Sequence, residues 1–324
     1  MKIIVDTKKI IIYNDNRNDN CENSKHRRNR MPFILKAGTW IQPVNVEQEN
    51  YMINDNVLLI TQSERANYKR IKEAEKYNAS VRQQSWAHGG FTFINSLVDL
   101  SANDPATIGR LAFLSTYLDF DTQRLQKGHG NQIRKSDLSS VLQISKPTAT
   151  AFYNDAVSSG LLLDHGSEGL CISKTFFRGS ADKKGKQTRL YINTVRDLYH
   201  RLKSNQHHRF GYVVQLIPFI NKEWNILCEN PYEPESQAIL PLSMKGICGK
   251  LHLSENHATR FKNAITSPIF SFGGEAQQLC AIVPTVTNYG RQNTVYVNPH
   301  LVYGGSDFTK VEGISVAFKA RVKG

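Results

Sequence analysis

The chain is 324 residues long, too long for one small core, and its formal net charge of +13 points to a polyanionic partner or to a solubility device. No apolar run approaches the roughly 20 residues that span a bilayer. Five scattered cysteines give neither a disulfide framework nor a zinc spacing, which fits a reducing cytoplasm.

Met1–Tyr13 alternates apolar and basic residues and is expected to form an edge strand or a hairpin arm. Its apolar pieces are strand-length and broken by Lys8-Lys9, so no secretory leader is expected. Residues 1–30 are assigned to a basic polar tail that ends in Lys25-His26-Arg27-Arg28-Asn29-Arg30. Residues 31–100 are assigned to an N-terminal α/β extension. Short strands are expected there at Phe33–Leu35, Trp40-Ile41, Val57–Ile60 and Phe91–Ile94. Thr61 with Glu64 makes a capping box that opens a charged helix to about Asn78. Trp86-Ala87-His88-Gly89-Gly90 is taken as a packed tryptophan beside a turn.

Asp104-Pro105 starts a helix, with Asp as N-cap and Pro in the first turn. Two further short helices are expected between Ile133 and Gly160. Leu138, Val141 and Leu142 share one face of the first. Gln143-Ile144 makes the turn. Ser145 caps the second helix, which buries Ala149, Phe152 and Ala156 and turns Lys146, Thr148, Thr150, Tyr153 and Asn154 outward. Leu161–Leu163 and Leu170–Phe177 then read as a hairpin. Helix-turn-helix followed by a hairpin is the outline of a winged helix, in which the second helix reaches bases and the wing reaches phosphates. Two core helices and a hairpin with no partner have the same outline. The loop Arg178–Arg189 adds Lys183, Lys184, Lys186 and Arg189 as phosphate contacts. A strand at Leu190–Ile192 and a helix at Thr194–Leu202 close the unit.

The pattern then repeats. Gly109–Leu118 lies over Gly211–Ile220, 102 residues on, and Ser145 lies over Ser254, 109 residues on. Leu138, Leu142 and Ile144 match Ile247, Leu251 and Leu253, while Arg189–Asn193 matches Thr294–Asn298. Four matching elements in one order define two tandem winged helix-turn-helix domains, residues 101–205 and 206–305, with a tail at 306–324. The fold class is α+β. Ser101–Asn205 carries 15 basic and 9 acidic residues against 7 and 6 in Gln206–Gly305, so the first copy is expected to bind phosphate more strongly. The second copy carries an acidic insert, Glu229–Glu235, expected to face away from DNA. Its outward helix residues are Asn256, His257, Arg260, Lys262 and Asn263. Its wing is expected to run from Ile269–Phe272 through Leu279–Val283 to a tip bearing Arg291. Asn154 and Asn263 are equivalent, each able to pair with adenine or to contact a phosphate.

No Walker loop, nucleophile elbow or HExxH occurs, so no catalytic residue, metal ligand or cofactor is expected. His200, His207 and His208 are taken as a surface cluster in a hinge loop. Asp104, Asp119, Asp121 and Asp137 are taken as caps and helix ends.

Asn293-Thr294-Val295-Tyr296-Val297-Asn298-Pro299-His300-Leu301-Val302-Tyr303-Gly304-Gly305 resembles the end of the winged-helix units of RepL-type plasmid replication proteins and MarR-like regulators of Gram-positive bacteria. Leu114–Asp119 and the tandem arrangement are similar to phage-encoded proteins of Firmicutes. The resemblance covers Asn103 to Gly305. It implies a sequence-specific binder of double-stranded DNA in phage or plasmid control of transcription or replication. RepL-type proteins have a single such unit, and this chain has two. The other expectation is a protein-interaction module that docks on host polymerase or replication proteins.

Overall fold

The computed structural model describes residues 2–6, 9–13, 39–41, 51–53, 58–59, 62–179, 186–287, 290–305 and 307–320. The architecture is mixed α+β, and the chain divides into two compact units, Met1–Asn78 and Ala79–Gly324. Phe33–Leu35, Thr61 and the basic run Lys25–Arg30 lie outside the described residues.

In the first unit, β1 (Lys2–Asp6) and β2 (Lys9–Tyr13) form an antiparallel hairpin with Ile3 opposite Ile12. A second hairpin joins β3 (Thr39–Ile41) to β4 (Tyr51–Ile53), and β5 (Leu58–Leu59) pairs with β1 on its free edge. The helix expected to end near Asn78 runs on as α1 (Gln62–His88). Nothing between Ala79 and His88 is Gly or Pro, so the first residue able to stop it is Gly89, at φ 66°.

The second unit begins with β6 (Phe91–Asn95) and α2 (Pro105–Ser115), capped as expected by the Asp104 carboxylate on the Thr107 N–H at 2.9 Å. Then come α3 (Leu138–Val141) and α4 (Lys146–Ser158). Next are β7 (Leu162–Asp164), β8 (Leu170–Ile172), β9 (Phe176–Phe177), β10 (Gln187–Tyr191) and α5 (Ile192–Arg201). The second repeat supplies α6 (His207–Gln215), α7 (Met244–Lys250) and α8 (Ala258–Thr266). After these come β11 (Ile269–Phe272), β12 (Glu275–Gln278), β13 (Cys280–Thr287), β14 (Gly290–Val297), β15 (Val302–Tyr303) and α9 (Thr309–Glu312).

The sequence repeat is present in the backbone. Four described non-glycine residues have positive φ, and they fall into two equivalent pairs. Gln123 (56°) matches Asn225 (53°) at the offset of 102, and Gln143 (52°) matches His252 (53°) at the offset of 109. The lone bridge Leu118–Leu125 recurs as Ile220–Leu227, and Gln126–Gln132 recurs as Cys228–Pro241. Even the side-chain turn repeats: the Asp119 carboxylate accepts from Thr122 N–H at 2.9 Å and the Asn221 amide oxygen from Trp224 N–H at 3.0 Å. Left-handed backbone at a non-glycine residue is costly, so its recurrence marks one local design used twice.

Four boundaries differ from the sequence expectation. β6, expected in the N-terminal extension, lies inside the four-stranded sheet β15-β10-β6-β9, with Phe91 opposite Tyr191 and Asn95 opposite Gln187. Strand partners a hundred residues away leave no local signal. One apolar core runs through both repeats, from Ile108 and Leu114 to Val213 and Val214, so no gap in packing marks position 205. Residues 306–324, expected to form a tail, include Val311 and Phe318, both fully buried. Finally, the wing expected for the second repeat is two separate hairpins. β11 and β12 close on each other around Gly273-Gly274, and β13 pairs with β14 over eight residues. The matched segments Arg189–Asn193 and Thr294–Asn298 accordingly start in different sheets.

Candidate nucleic-acid interface

In the first repeat, Leu138, Val141 and Leu142 are buried, and so are Ala149, Phe152 and Ala156 of α4. The Ser145 hydroxyl accepts from the Thr148 N–H at 3.3 Å, and Gly160 ends the helix segment at φ 68°. The Thr107 hydroxyl of α2 donates to the Asp155 carboxylate of α4 at 2.6 Å, which fixes how α4 is carried. The face left outward carries Lys146, Thr150 and Asn154, all exposed. Beside the first turn of α4 lies an open cleft of about 570 Å³ lined by Lys135, Ser136, Ser139, Lys146, Ala149 and Thr150. Two ammonium groups and three hydroxyls, with no carboxylate in the lining, suit an anionic backbone. Lys135, Ser136 and Ser139 are additions to the residues expected from sequence. The pattern of the second helix does not contain them; their signal is the polar face of the first.

Two expected readers are already engaged. Tyr153 is half-buried, its hydroxyl donates to the Asp164 carboxylate at 2.6 Å, and Lys135 Nζ sits 4.1 Å from its ring centroid. It ties α4 to the hairpin. The Thr148 hydroxyl lies 2.8 Å from that of Ser145, inside the cap. At the hairpin tip Glu168 pairs with Arg124, and Arg134 donates to the Ser167 carbonyl at 3.4 Å.

Arg189 requires a correction. Expected to neutralise phosphate, it is instead 4 % exposed, donates to the Gly305 carbonyl and lies 5.4 Å from the Tyr303 ring centroid. It joins β10 to β15. Arg189→Ala is expected to lower unfolding stability by about 2 kcal/mol, the scale of removing a buried charge-assisted hydrogen bond. Chemical denaturation checks it. Of the other loop cations Lys186 is exposed, whereas Lys183 and Lys184 lie outside the described residues, as does the side chain of Arg291.

In the second repeat Asn256, His257, Arg260, Lys262 and Asn263 are all exposed, as expected. The place equivalent to the Lys135–Lys146 cleft is occupied differently, because Lys245 pairs with Glu255 at 2.7 Å. Cationic surface appears instead on the other flank of α8. There a groove of about 680 Å³ is lined by His208, Arg209, Asn256, Thr259, Arg260 and Asn263, among others. Arg209 is oriented by donating to the Ser267 hydroxyl at 2.9 Å. The acidic insert folds back on its own repeat: Glu229 pairs with Lys250 at 2.8 Å, and Trp224 Nε1 donates to the Pro234 carbonyl at 3.0 Å.

The histidines also differ from expectation. His207 is not on the surface: it is buried and stacks on Tyr199 at 4.1 Å, with burial driving its pKa down to about 4. Trp86 is not packed but 91 % exposed, while His88 beside it is fully buried between Tyr191 and Phe272. At a helix end the residue facing the core is set by rotation about the axis, and size alone does not reveal it. Among the described residues no three His, Cys, Asp or Glu side chains converge as a metal site. No helix among them is long and apolar enough to cross a membrane.

No protein family, curated protein or solved structure matches the chain.

Proposed function

We propose that the chain binds double-stranded DNA through two tandem winged-helix units, with α4 of the first unit as principal reader. The observation that carries this reading is the open cleft at the first turn of α4, lined by Lys135 and Lys146 and free of carboxylates. Thr150 and Asn154 extend it along the exposed face of the helix. A helix whose first turns are exposed and flanked by ammonium groups can enter a major groove while the lysines hold the strands on either side. The net charge of +13 supports the same partner. Lys186, with Lys183 and Lys184, adds sequence-independent phosphate binding. The protein acts without catalysis, as a cytoplasmic regulator of transcription or replication of the kind found in phages and plasmids.

The test is a salt titration. Lys135→Gln with Lys146→Gln is expected to flatten the plot of log affinity against log salt by about 1.8, near 0.9 for each phosphate no longer neutralised. Thr150→Ala with Asn154→Ala should cost about 1–3 kcal/mol per base contact on a selected site and little on random DNA. A chain that docks on host proteins instead would show no steep salt dependence, and the lysine pair would leave the slope unchanged.

A further inference from the structure

The two repeats meet through the same surface on each. α2 and α6 cross where Gly109 lies against the His207 carbonyl and Gly211 lies against the Pro105 carbonyl. At the offset of 102 residues, Gly109 is equivalent to Gly211 and Pro105 to His207. Residue i of one copy therefore contacts residue j of the other, while j of the first contacts i of the second. The flanking loops are tied across the crossing too, though by residues that are not equivalent. Arg110 of α2 donates to the Ser204 carbonyl ahead of α6 at 3.5 Å, and Gln215 of α6 donates to the Asn103 carbonyl ahead of α2 at 2.8 Å. Reciprocal contacts like those of Gly109 and Gly211 are the signature of a two-fold axis, as in an isologous dimer.

Each second helix is tied to its own half of the crossing. Thr107 of α2 holds Asp155 of α4, and Tyr212 of α6 packs edge-on against Phe261 of α8, 5.3 Å between centroids. A rotation that superposes α2 on α6 thus carries α4 toward α8. We infer that residues 101–305 are a pseudo-symmetric dimer built into one chain, and that a single chain reads two half-sites in inverted orientation on one duplex. This inference rests on the DNA-binding reading above and adds orientation and stoichiometry to it. Two readers related by a two-fold axis meet a duplex with opposite polarity, their half-sites centred about one helical turn apart.

The half-sites are unequal. At the first turn of its reader the first copy offers Lys146, where the second has Glu255 paired with Lys245. The second copy instead presents Arg260 and Asn263 beside His208 and Arg209. An arginine and an asparagine suit guanine and adenine edges, whereas the first copy offers Thr150 and Asn154. The target is accordingly an imperfect inverted repeat, held more strongly at the half-site of the first copy.

The experiment uses the full chain and a duplex selected from a random library. Mass photometry is expected to count one chain per duplex, and hydroxyl-radical footprinting to show two protected stretches about one turn apart with inverted sequence. Thr150→Ala with Asn154→Ala should erase one stretch and Arg260→Ala with Asn263→Ala the other, with thermal melts matching the parent. Two chains per duplex, direct repeats, or a footprint unchanged by the Arg260 and Asn263 pair would overturn the inference while leaving DNA binding in place. Failure to enrich any duplex would remove the DNA reading itself, and this inference with it.

Discussion

Gly211→Ala is expected to lower unfolding stability by about 3 kcal/mol, more than the corresponding change at Gly109. Two effects oppose each other. Alanine is worth about 1 kcal/mol over glycine inside a helix. Against that, a Cβ on Gly211 would overlap the Pro105 carbonyl oxygen outright and lie 2.5 Å from its carbon. Both atoms are backbone in the first turn of α2, held by the Asp104 cap, so no side chain can rotate aside. The helices must separate, and their contact is the seam between the repeats. Overpacking of this kind typically costs about 1–3 kcal/mol and occasionally more, so the clash wins. At Gly109 the nearest backbone oxygen is 2.5 Å away, and a smaller shift suffices. Gly249 in α7 is the control, exposed with nothing within 4 Å, where alanine should be neutral or stabilising. Urea denaturation of the three variants orders them. A midpoint for Gly211→Ala at or above the parent would show that the crossing does not hold the repeats together.

The sequence revealed what local chemistry determines. Caps at Asp104 and Ser145, the apolar stripe of α4 and the stop at Gly160 each need only neighbouring residues, and each appears as expected. The repeat was legible because it compares the chain with itself. What it concealed depends on residues far apart. The place of β6 beside β10 and the burial of Arg189 against Gly305 are pairings across about a hundred residues. The reciprocal crossing was hidden in plain view, since Gly109 and Gly211 align as equivalents. Alignment says that two residues occupy the same place in each copy, not that those places touch. In the candidate interface, the exposed positions Lys146, Thr150, Asn154, Arg260 and Asn263 followed from helical periodicity. Periodicity does not reveal that Tyr153 and Thr148 have local partners, because both sit on the polar face.

Mild acid is expected to unfold the second unit through its buried histidines. His88 is fully buried, stacked on Tyr191 and Phe272, with its Nε2 3.5 Å from Nδ1 of His300. Burial, and then the proximity of His300, lowers its pKa to about 3, while burial lowers His300 and His207 to about 4. Folding therefore holds these rings neutral, whereas the unfolded chain binds protons below about pH 6.5. The stabilisation is complete above about pH 6.5 and falls with pH until the folded groups titrate near 3 to 4. Each ring costs about 1.4 kcal/mol per pH unit inside that window. By pH 5 His88 alone accounts for roughly 2 kcal/mol, and the three together for roughly 6, comparable with the whole stability of an ordinary domain. The hydrogen-bonded aspartates do not explain a loss at that pH. Asp99, Asp119, Asp137 and Asp164 are held below the usual carboxylate range by hydrogen bonds, so their contribution disappears only further into acid. His88→Phe keeps the stack and removes one titrating ring. Its stability, measured by urea denaturation from about pH 7.5 down to about 5, should fall less steeply than the parent by about one proton's slope. Parallel profiles would mean that His88 is already protonated in the folded chain, which its position between two aromatic rings would then have to accommodate.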